Sequence, residues 1–477
     1  MSDTLKHKAT KGILWSAIER FSVQGVQFLI MIVMARILSP HDYGLIGMLS
    51  IFLAVAQSLI DSGFSQALIR KQNRTEIDNS TVFYFNVVTS GFLYLILFVI
   101  APQVADFYNT PELCKLMRVV CLSIIINSLT VVQRAILTIK IDFKTQAKVS
   151  FITTLISGII GIILAYSGFG VWSLAIHALL YAILNTIFLW ILSKWRPIKA
   201  YSWDSFRDLF SFGSKLLASG LLDTIYRNIY PIIIGKIFSA TDLGYYTRAQ
   251  NFADLPSSNL TNILQRVTYP VLCSMQDNDE RLRNIYRRFL KLSAFIIFPL
   301  MTGLASIAHP LINVMIGSKW EFCASLLQII CFNMMWYPIH AINLNLLQVK
   351  GRSDLFLRLE ILKKIMGIII LIITIPLGLI AMCYGGISSS IFALVINTYY
   401  TGKLINVGFY KQMRDILPTL TLSIGMFVIV LYATHSIQNM YMKLFLGISL
   451  GIVSYIGCSI IFKFTELQEV LSILKKK

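Results

Sequence analysis

The chain has 477 residues, of which 56% are hydrophobic and 14% charged, and its mean hydropathy of +0.70 is too high for an ordinary water-soluble globule. A formal charge of +19 first suggests nucleic acid, but such a binder gathers Lys and Arg on one water-facing surface, and here they sit in alternate loops between apolar runs. The seven cysteines stand singly, with no CxxC and no histidine at ligand spacing, so neither disulfides nor a metal site is expected.

Apolar runs long enough to cross a hydrocarbon core, which takes roughly 20 helical residues, follow one another along the sequence. They predict spans near 12–37, 44–69, 79–101, 115–138, 149–167 and 171–193. Eight more are predicted near 208–237, 248–272, 289–316, 323–349, 357–378, 379–402, 416–435 and 441–462. Val149 to Ser193 carries no charge and divides at Ser167-Gly168-Phe169-Gly170; Ile365 to Gly402 is also charge-free and divides at Pro376-Leu377-Gly378. Long apolar helices satisfy their own backbone groups in lipid, and the alternating strands of a barrel are missing. The expected fold class is all-α: a polytopic membrane protein of about 14 transmembrane helices. The first run is already a full span without a small-residue cleavage site, so it reads as a retained helix.

Charge orients the chain. With the N-terminus inside, the even-numbered loops and ends hold roughly 28 of the 42 Lys and Arg, with Arg281, Arg283, Arg287, Arg288 and Lys291 clustered in one of them, and the opposite loops about four. The positive-inside rule then places both termini in the cytoplasm.

A repeat organises the spans. Ala35-Arg36-Ile37-Leu38-Ser39-Pro40-His41-Asp42-Tyr43-Gly44 recurs as Gly235-Lys236-Ile237-Phe238-Ser239-Ala240-Thr241-Asp242-Leu243-Gly244. A basic residue, Ile, Ser, Asp and Gly coincide, and six predicted spans separate the copies. Parallel repeats about an axis along the membrane normal are implied, with a substrate cavity between lobes. The expected domains are an N-terminal lobe at 1–205, a second lobe at 206–403, and two further spans with a short tail helix at 404–477. Loops are short throughout. A glycan polymerase or ligase usually carries a large catalytic loop, and the six histidines are scattered, so the chain is expected to be a transporter and not an enzyme.

Ionisable side chains inside spans are costly and mark pathways. In the first span Ser16, Arg20, Gln24 and Gln27 make a polar stripe at helical spacing, bordered by Glu19. In the seventh, its partner in the repeat, Lys215, Ser219, Asp223, Arg227 and Tyr230 make another. Asp61 and Arg20 both lie roughly 12 Å deep from the same side. They are placed to pair, either pinning two helices or serving gating or ion coupling. Arg266, Arg134 and Arg118 add cations, and the excess of buried cations favours an anionic substrate. Arg36 and Lys236, at helix C-terminal ends, suit capping. Trp15, Tyr84, Trp172, Trp190, Trp195 and Trp320 suit the membrane interface.

Four segments carry a resemblance: Leu38-Ser39-Pro40-His41-Asp42-Tyr43-Gly44, Asp61-Ser62-Gly63-Phe64-Ser65-Gln66-Ala67-Leu68-Ile69, Gly168-Phe169-Gly170-Val171-Trp172-Ser173-Leu174 and Asp242-Leu243-Gly244-Tyr245-Tyr246-Thr247-Arg248-Ala249. In this order on this topology the chain resembles the bacterial polysaccharide flippases, the O-antigen, capsule and colanic-acid-type exporters of the multidrug/oligosaccharidyl-lipid/polysaccharide superfamily. The resemblance implies a multi-pass protein of the bacterial inner membrane. It implies transport of an undecaprenyl-diphosphate-linked oligosaccharide by alternating access, among membrane lipids and polysaccharide-assembly proteins. It also implies coupling to H+ or Na+ without a cofactor, with Asp61, Glu19 and Asp223 as candidate carboxylates; no Walker motif is present. Arg20, Gln24, Gln27, Lys215, Asp223, Arg227 and Arg266 are then the expected substrate contacts, and Asp61 and Glu19 the coupling or gating residues. The competing expectations are a multidrug-type cation antiporter of the same superfamily and, from another class, a membrane glycan polymerase or ligase.

Overall fold

The computed structural model describes residues 22–61 and 63–475, without the side chains of residues 215, 216 and 473–475. In chain order the helices are α1 (Ser22–Ile37), α2 (Pro40–Asp61), α3 (Phe64–Arg70), α4 (Glu76–Phe107), α5 (Glu112–Val120), α6 (Leu122–Ser128) and α7 (Val131–Ile139). They continue with α8 (Phe143–Tyr166), α9 (Val171–Ser193), α10 (Trp203–Arg227), α11 (Ile229–Ile237), α12 (Ala240–Cys273), α13 (Asp279–Ser306) and α14 (Ala308–Ile316). The last are α15 (Glu321–Met334), α16 (Tyr337–Val349), α17 (Ser353–Thr374), α18 (Leu379–Ile405), α19 (Phe409–His435), α20 (Met440–Ile461) and α21 (Thr465–Lys475). No strand forms among the described residues.

Among the described residues, ten helical segments are long and apolar enough to cross a membrane. They coincide with ten of the predicted spans. The predicted spans that fall short are those carrying the charges: α10 holds Asp204, Arg207, Asp208, Asp223 and Arg227, α12 holds Asp242, Arg248, Asp254 and Arg266, and α17 holds Arg358, Glu360, Lys363 and Lys364. The first, α1, is described over 22–37 only. Val99, Leu222, Val453 and Ile461, each at least 65% exposed, line outer helix faces that only a lipid solvent tolerates in such number.

The repeated decapeptide has a physical purpose. Ser39 and Ser239 cap α2 and α12: Ser39 Oγ donates to Asp42 Oδ2 at 2.6 Å and accepts from the Asp42 N–H at 3.2 Å. Two hundred residues later, Ser239 Oγ and Asp242 repeat both bonds at 2.7 and 3.0 Å. Each serine satisfies an N-terminal N–H that its helix leaves unpaired, and each aspartate stands in the first turn, where the helix dipole favours it. The two conserved-offset glycines bring the capped ends together. A Cβ on Gly44 would lie 1.6 Å from the Ala240 carbonyl oxygen, and one on Gly244 would lie 1.9 Å from the Pro40 carbonyl oxygen. The contact is reciprocal at an offset of 200.

By compactness the chain divides between Gly244 and Tyr245. In the first unit α2 packs on α10 and α11, α8 on α9, and α6 on α4 and α9. Lys236, expected to cap its own helix, instead donates to the Phe107 carbonyl at the end of α4 and lies 4.7 Å from the Phe107 ring centre. In the second unit α13 lies along α19, and α18 along α17 and α15. Trp320, expected at the membrane interface, is fully buried there beside Tyr245, because its turn packs against both α14 and α15.

Four helices of the second unit are joined by a buried amide network. Gln412 Nε2 donates to Asn343 Oδ1 at 3.1 Å, Thr401 Oγ1 at 2.9 Å and the Val407 carbonyl at 3.0 Å, and the Tyr286 hydroxyl donates to Asn343 Oδ1 at 2.9 Å. Gln412→Leu leaves these acceptors without that donor, at about 2 kcal/mol. The expected result is a lower unfolding midpoint in detergent, and an unchanged midpoint contradicts it.

Candidate functional site

The first unit holds a cavity of about 460 Å³. Helical spacing assembles its wall: His177 and Tyr181 stand one turn apart on α9, as do Ser123 and Asn127 on α6, while Gln57 on α2, Gln27 on α1 and Thr154 on α8 complete it. Ala54, Ala178 and Ala182 leave the space open. Thr154 is twelfth of the 24 residues of α8, so the cavity lies near the middle of that span.

Close helix crossings hold the polar groups in place. At Gly158 a Cβ would fall 2.0 Å from Ile30 Cδ1, so α1 presses on α8 there; one turn earlier on each helix stand Gln27 and Thr154. At Gly161 a Cβ would lie 3.0 Å from His177 Cβ, which brings α9 close enough for its imidazole to reach the wall. Ser123 spends its hydroxyl on the Val120 carbonyl at 2.6 Å. The Thr154 hydroxyl oxygen is buried with no hydrogen-bond partner.

Charge enters from one side. Gln57 Nε2 donates to Asp61 Oδ1 at 3.3 Å, and the Arg134 guanidinium acts on the Asp61 carboxylate electrostatically. A carboxylate thus lies one turn along α2 from the cavity, joined to it through an amide, while among the described residues no side chain on the wall carries a fixed charge.

The expected site residues divide accordingly. Gln27 lines the cavity and Asp61 is tied to it; Gln24 is half-buried on α1. Asp223 and Arg227 pair with each other along α10 at 2.7 Å, both well exposed, and Arg266 is exposed on α12 in the second unit. Arg20, Glu19 and the Lys215 side chain lie outside the described residues, as does the expected Arg20–Asp61 pair. Sequence reasoning missed His177, Tyr181, Asn127 and Thr154. The spacing of His177 and Tyr181 by four in a charge-free span was a readable sign of a polar face, but treating each histidine singly hid it.

One sequence expectation about histidines is corrected. His340 has no nearby serine in sequence, yet its Nε2 lies 3.0 Å from Ser390 Oγ, while Asn397 Nδ2 donates to its Nδ1 at 3.3 Å. This is not an activated nucleophile. With Nδ1 accepting, Nε2 carries the proton and donates to the serine, the reverse of a general base; Ser390 and Asn397 are buried and His340 is half-buried.

A helical chain whose described residues include ten apolar spans and a polar cavity is a polytopic membrane protein with a hydrophilic site inside its bundle. The sequence profile of the polysaccharide biosynthesis protein family matches residues 33–325, and the chain belongs to that family. It is 25% identical over 452 residues to the teichuronic acid biosynthesis protein TuaB of Bacillus subtilis, covering 93% of this chain and 94% of that one. It is 24% identical to the lipopolysaccharide biosynthesis protein WzxC of Escherichia coli, covering 86% and 84%. Among solved structures, the lipid II flippase MurJ in an inward closed conformation shares the fold, with a TM-score of 0.76 and 17% identity over 94% of this chain and 99% of that one.

Proposed function

We propose that this protein flips an undecaprenyl-diphosphate-linked oligosaccharide, a unit of O-antigen, capsule or exopolysaccharide, across the bacterial inner membrane by alternating access. The observation that carries the reading is near-complete coverage. The chain aligns with a teichuronic acid and a lipopolysaccharide biosynthesis protein over 94% and 84% of their lengths, and its fold matches a lipid II flippase over 94% of this chain and 99% of that one. In this reading the chain has fourteen spans arranged as six, six and two, with the related lobes at 1–205 and 206–403 and both termini cytoplasmic. The Ser39/Asp42 and Ser239/Asp242 caps support the repeat.

The protein is then a transporter rather than an enzyme. A diphosphate keeps at least two negative charges and needs Arg or Lys as it leaves the headgroup region. Arg20, Lys215, Arg227 and Arg266 supply them, with Gln24, Gln27 and Asp223 as further contacts. Asp61, with Glu19, is the coupling or gating group for H+ or Na+; its link through Gln57 to a cavity wall supports a carboxylate that senses occupancy. Partners are the lipid-linked glycan, membrane lipids and the polysaccharide-assembly proteins.

The test is genetic. Arg227→Ala in the chromosomal copy is expected to reduce surface polysaccharide at least tenfold while protein level holds, with lipid-linked units accumulating in the cytoplasmic leaflet. Loss of a cationic hydrogen bond of roughly 1.5–3 kcal/mol sets that scale. Normal surface polysaccharide in the variant removes Arg227 from the site. Normal polysaccharide in a full deletion, with raised drug susceptibility, replaces the flippase by a multidrug exporter.

A further inference from the structure

The cavity of the first unit is at odds with the most charged part of the proposed cargo. Its polar wall is made by Gln27, Gln57, Asn127, Thr154, His177 and Tyr181, and none of these is a fixed cation. A diphosphate entering it would give up its hydration with no opposite charge in return from any of these described side chains, which low-polarity surroundings penalise heavily. A lone ion is far too small for about 460 Å³, a volume within the roughly 300–1,000 Å³ of small-molecule pockets.

The donor set matches a different chemistry. Carboxamides offer a donor and an acceptor from one side chain, and the hydroxyl and imidazole groups do both in turn. Such groups pair with neighbouring hydroxyls on a saturated ring. A tyrosine adds an apolar face for the ring's C–H surface. The Thr154 hydroxyl is the second, independent sign: the residue is one of those lining the cavity, it is 1% exposed, and its buried oxygen has no hydrogen-bond partner among the described residues. Buried hydroxyls are seldom left so, and a ligand hydroxyl arriving from the cavity would satisfy it.

We propose that this cavity receives an uncharged sugar ring of the glycan while the diphosphate stays outside it among cations. The proposal rests on the flippase reading and assigns the sugar to a place within the first unit. It makes the protein a reader of hydroxyl pattern, with Thr154 and Asn127 as specificity-determining contacts. An anionic sugar is disfavoured here for the same reason as the diphosphate, and the Asp61 carboxylate one turn away adds repulsion.

The experiment uses the full chain in lipid nanodiscs and two probes: undecaprenyl diphosphate bearing one neutral hexose, and the same lipid without sugar. The wild type is expected to bind the sugar-bearing lipid about tenfold more tightly, from two or more net hydrogen bonds. Thr154→Val and Asn127→Leu, both close in shape, each narrow that ratio by roughly threefold to tenfold and leave affinity for the bare lipid unchanged; Thr154→Ser restores it. Equal binding of the two lipids by the wild type, or variants that keep its ratio, overturns the sugar assignment and leaves the flippase reading standing. A wild type that binds neither lipid overturns the flippase reading itself.

Discussion

Gly44→Ala is expected to abolish surface polysaccharide and to lower the yield of folded protein, and Gly244→Ala is expected to do the same to a similar degree. The added Cβ atoms would stand 1.6 Å from the Ala240 carbonyl oxygen and 1.9 Å from that of Pro40. Both obstacles are backbone at the first turn of a capped helix, so no rotamer change relieves the clash and the helices must separate. Overpacking of this kind costs about 3 kcal/mol or more. Gly91 and Gly425 provide the controls: nothing lies within 4 Å of a Cβ at either, and alanine there is expected to be neutral or to stabilise its helix by up to about 1 kcal/mol. Polysaccharide level and detergent unfolding midpoint measure both arms. A Gly44→Ala protein with wild-type export and midpoint would show that the crossing is not required.

Asp415→Ala is expected to destabilise the second unit by about 3 kcal/mol. The Asp415 side chain, 3% exposed, accepts from Arg287 Nε at 2.6 Å and from the second guanidinium nitrogen at 2.7 Å, with Lys291 Nζ at 3.6 Å. Removing the carboxylate leaves two cations facing a buried hole at the contact between α13 and α19. Loss of one partner of a buried pair costs roughly 3–5 kcal/mol. The lower end applies because Arg287 and Lys291 keep 37% and 38% of their side-chain exposure and water screens part of the field. The double variant Arg287→Met, Asp415→Leu is expected to recover most of the loss, since the closely bonded Arg287 is no longer stranded and the more distant Lys291 keeps access to water. Equal unfolding midpoints for Asp415→Ala and the wild type would rule out the pair as a determinant of stability.

The bundle was legible from hydropathy because a lipid-facing helix must be apolar all round, a demand that each stretch of chain meets by itself. The span 171–193 coincides with α9 to the residue. The Ser-x-x-Asp-x-Gly repeat was legible as a repeat but not as a device. Its serine and aspartate act locally, within one turn, and could have been read as caps; its glycine acts on the backbone of the other copy of the repeat. The cavity was half legible. Gln27 stood out as an amide in an apolar span, whereas Thr154 and Asn127 looked like ordinary polar residues until five helices turned them towards one space.

Sequence alone therefore determined the solvent, the helices and the repeated decapeptide, because each depends on composition or on neighbours close along the chain. Only the tertiary structure decided that Gly44 and Gly244 meet opposite backbones, that Trp320 is core and not interface, and that the charges and the polar cavity are separate features. Asp223 takes Arg227 as its partner on its own helix, while the wall around Thr154 keeps amides and hydroxyls without a fixed charge. Those outcomes depend on which distant faces pack together, and helix packing is fixed by shape at the crossings, such as Gly158 under Ile30, which no local pattern encodes.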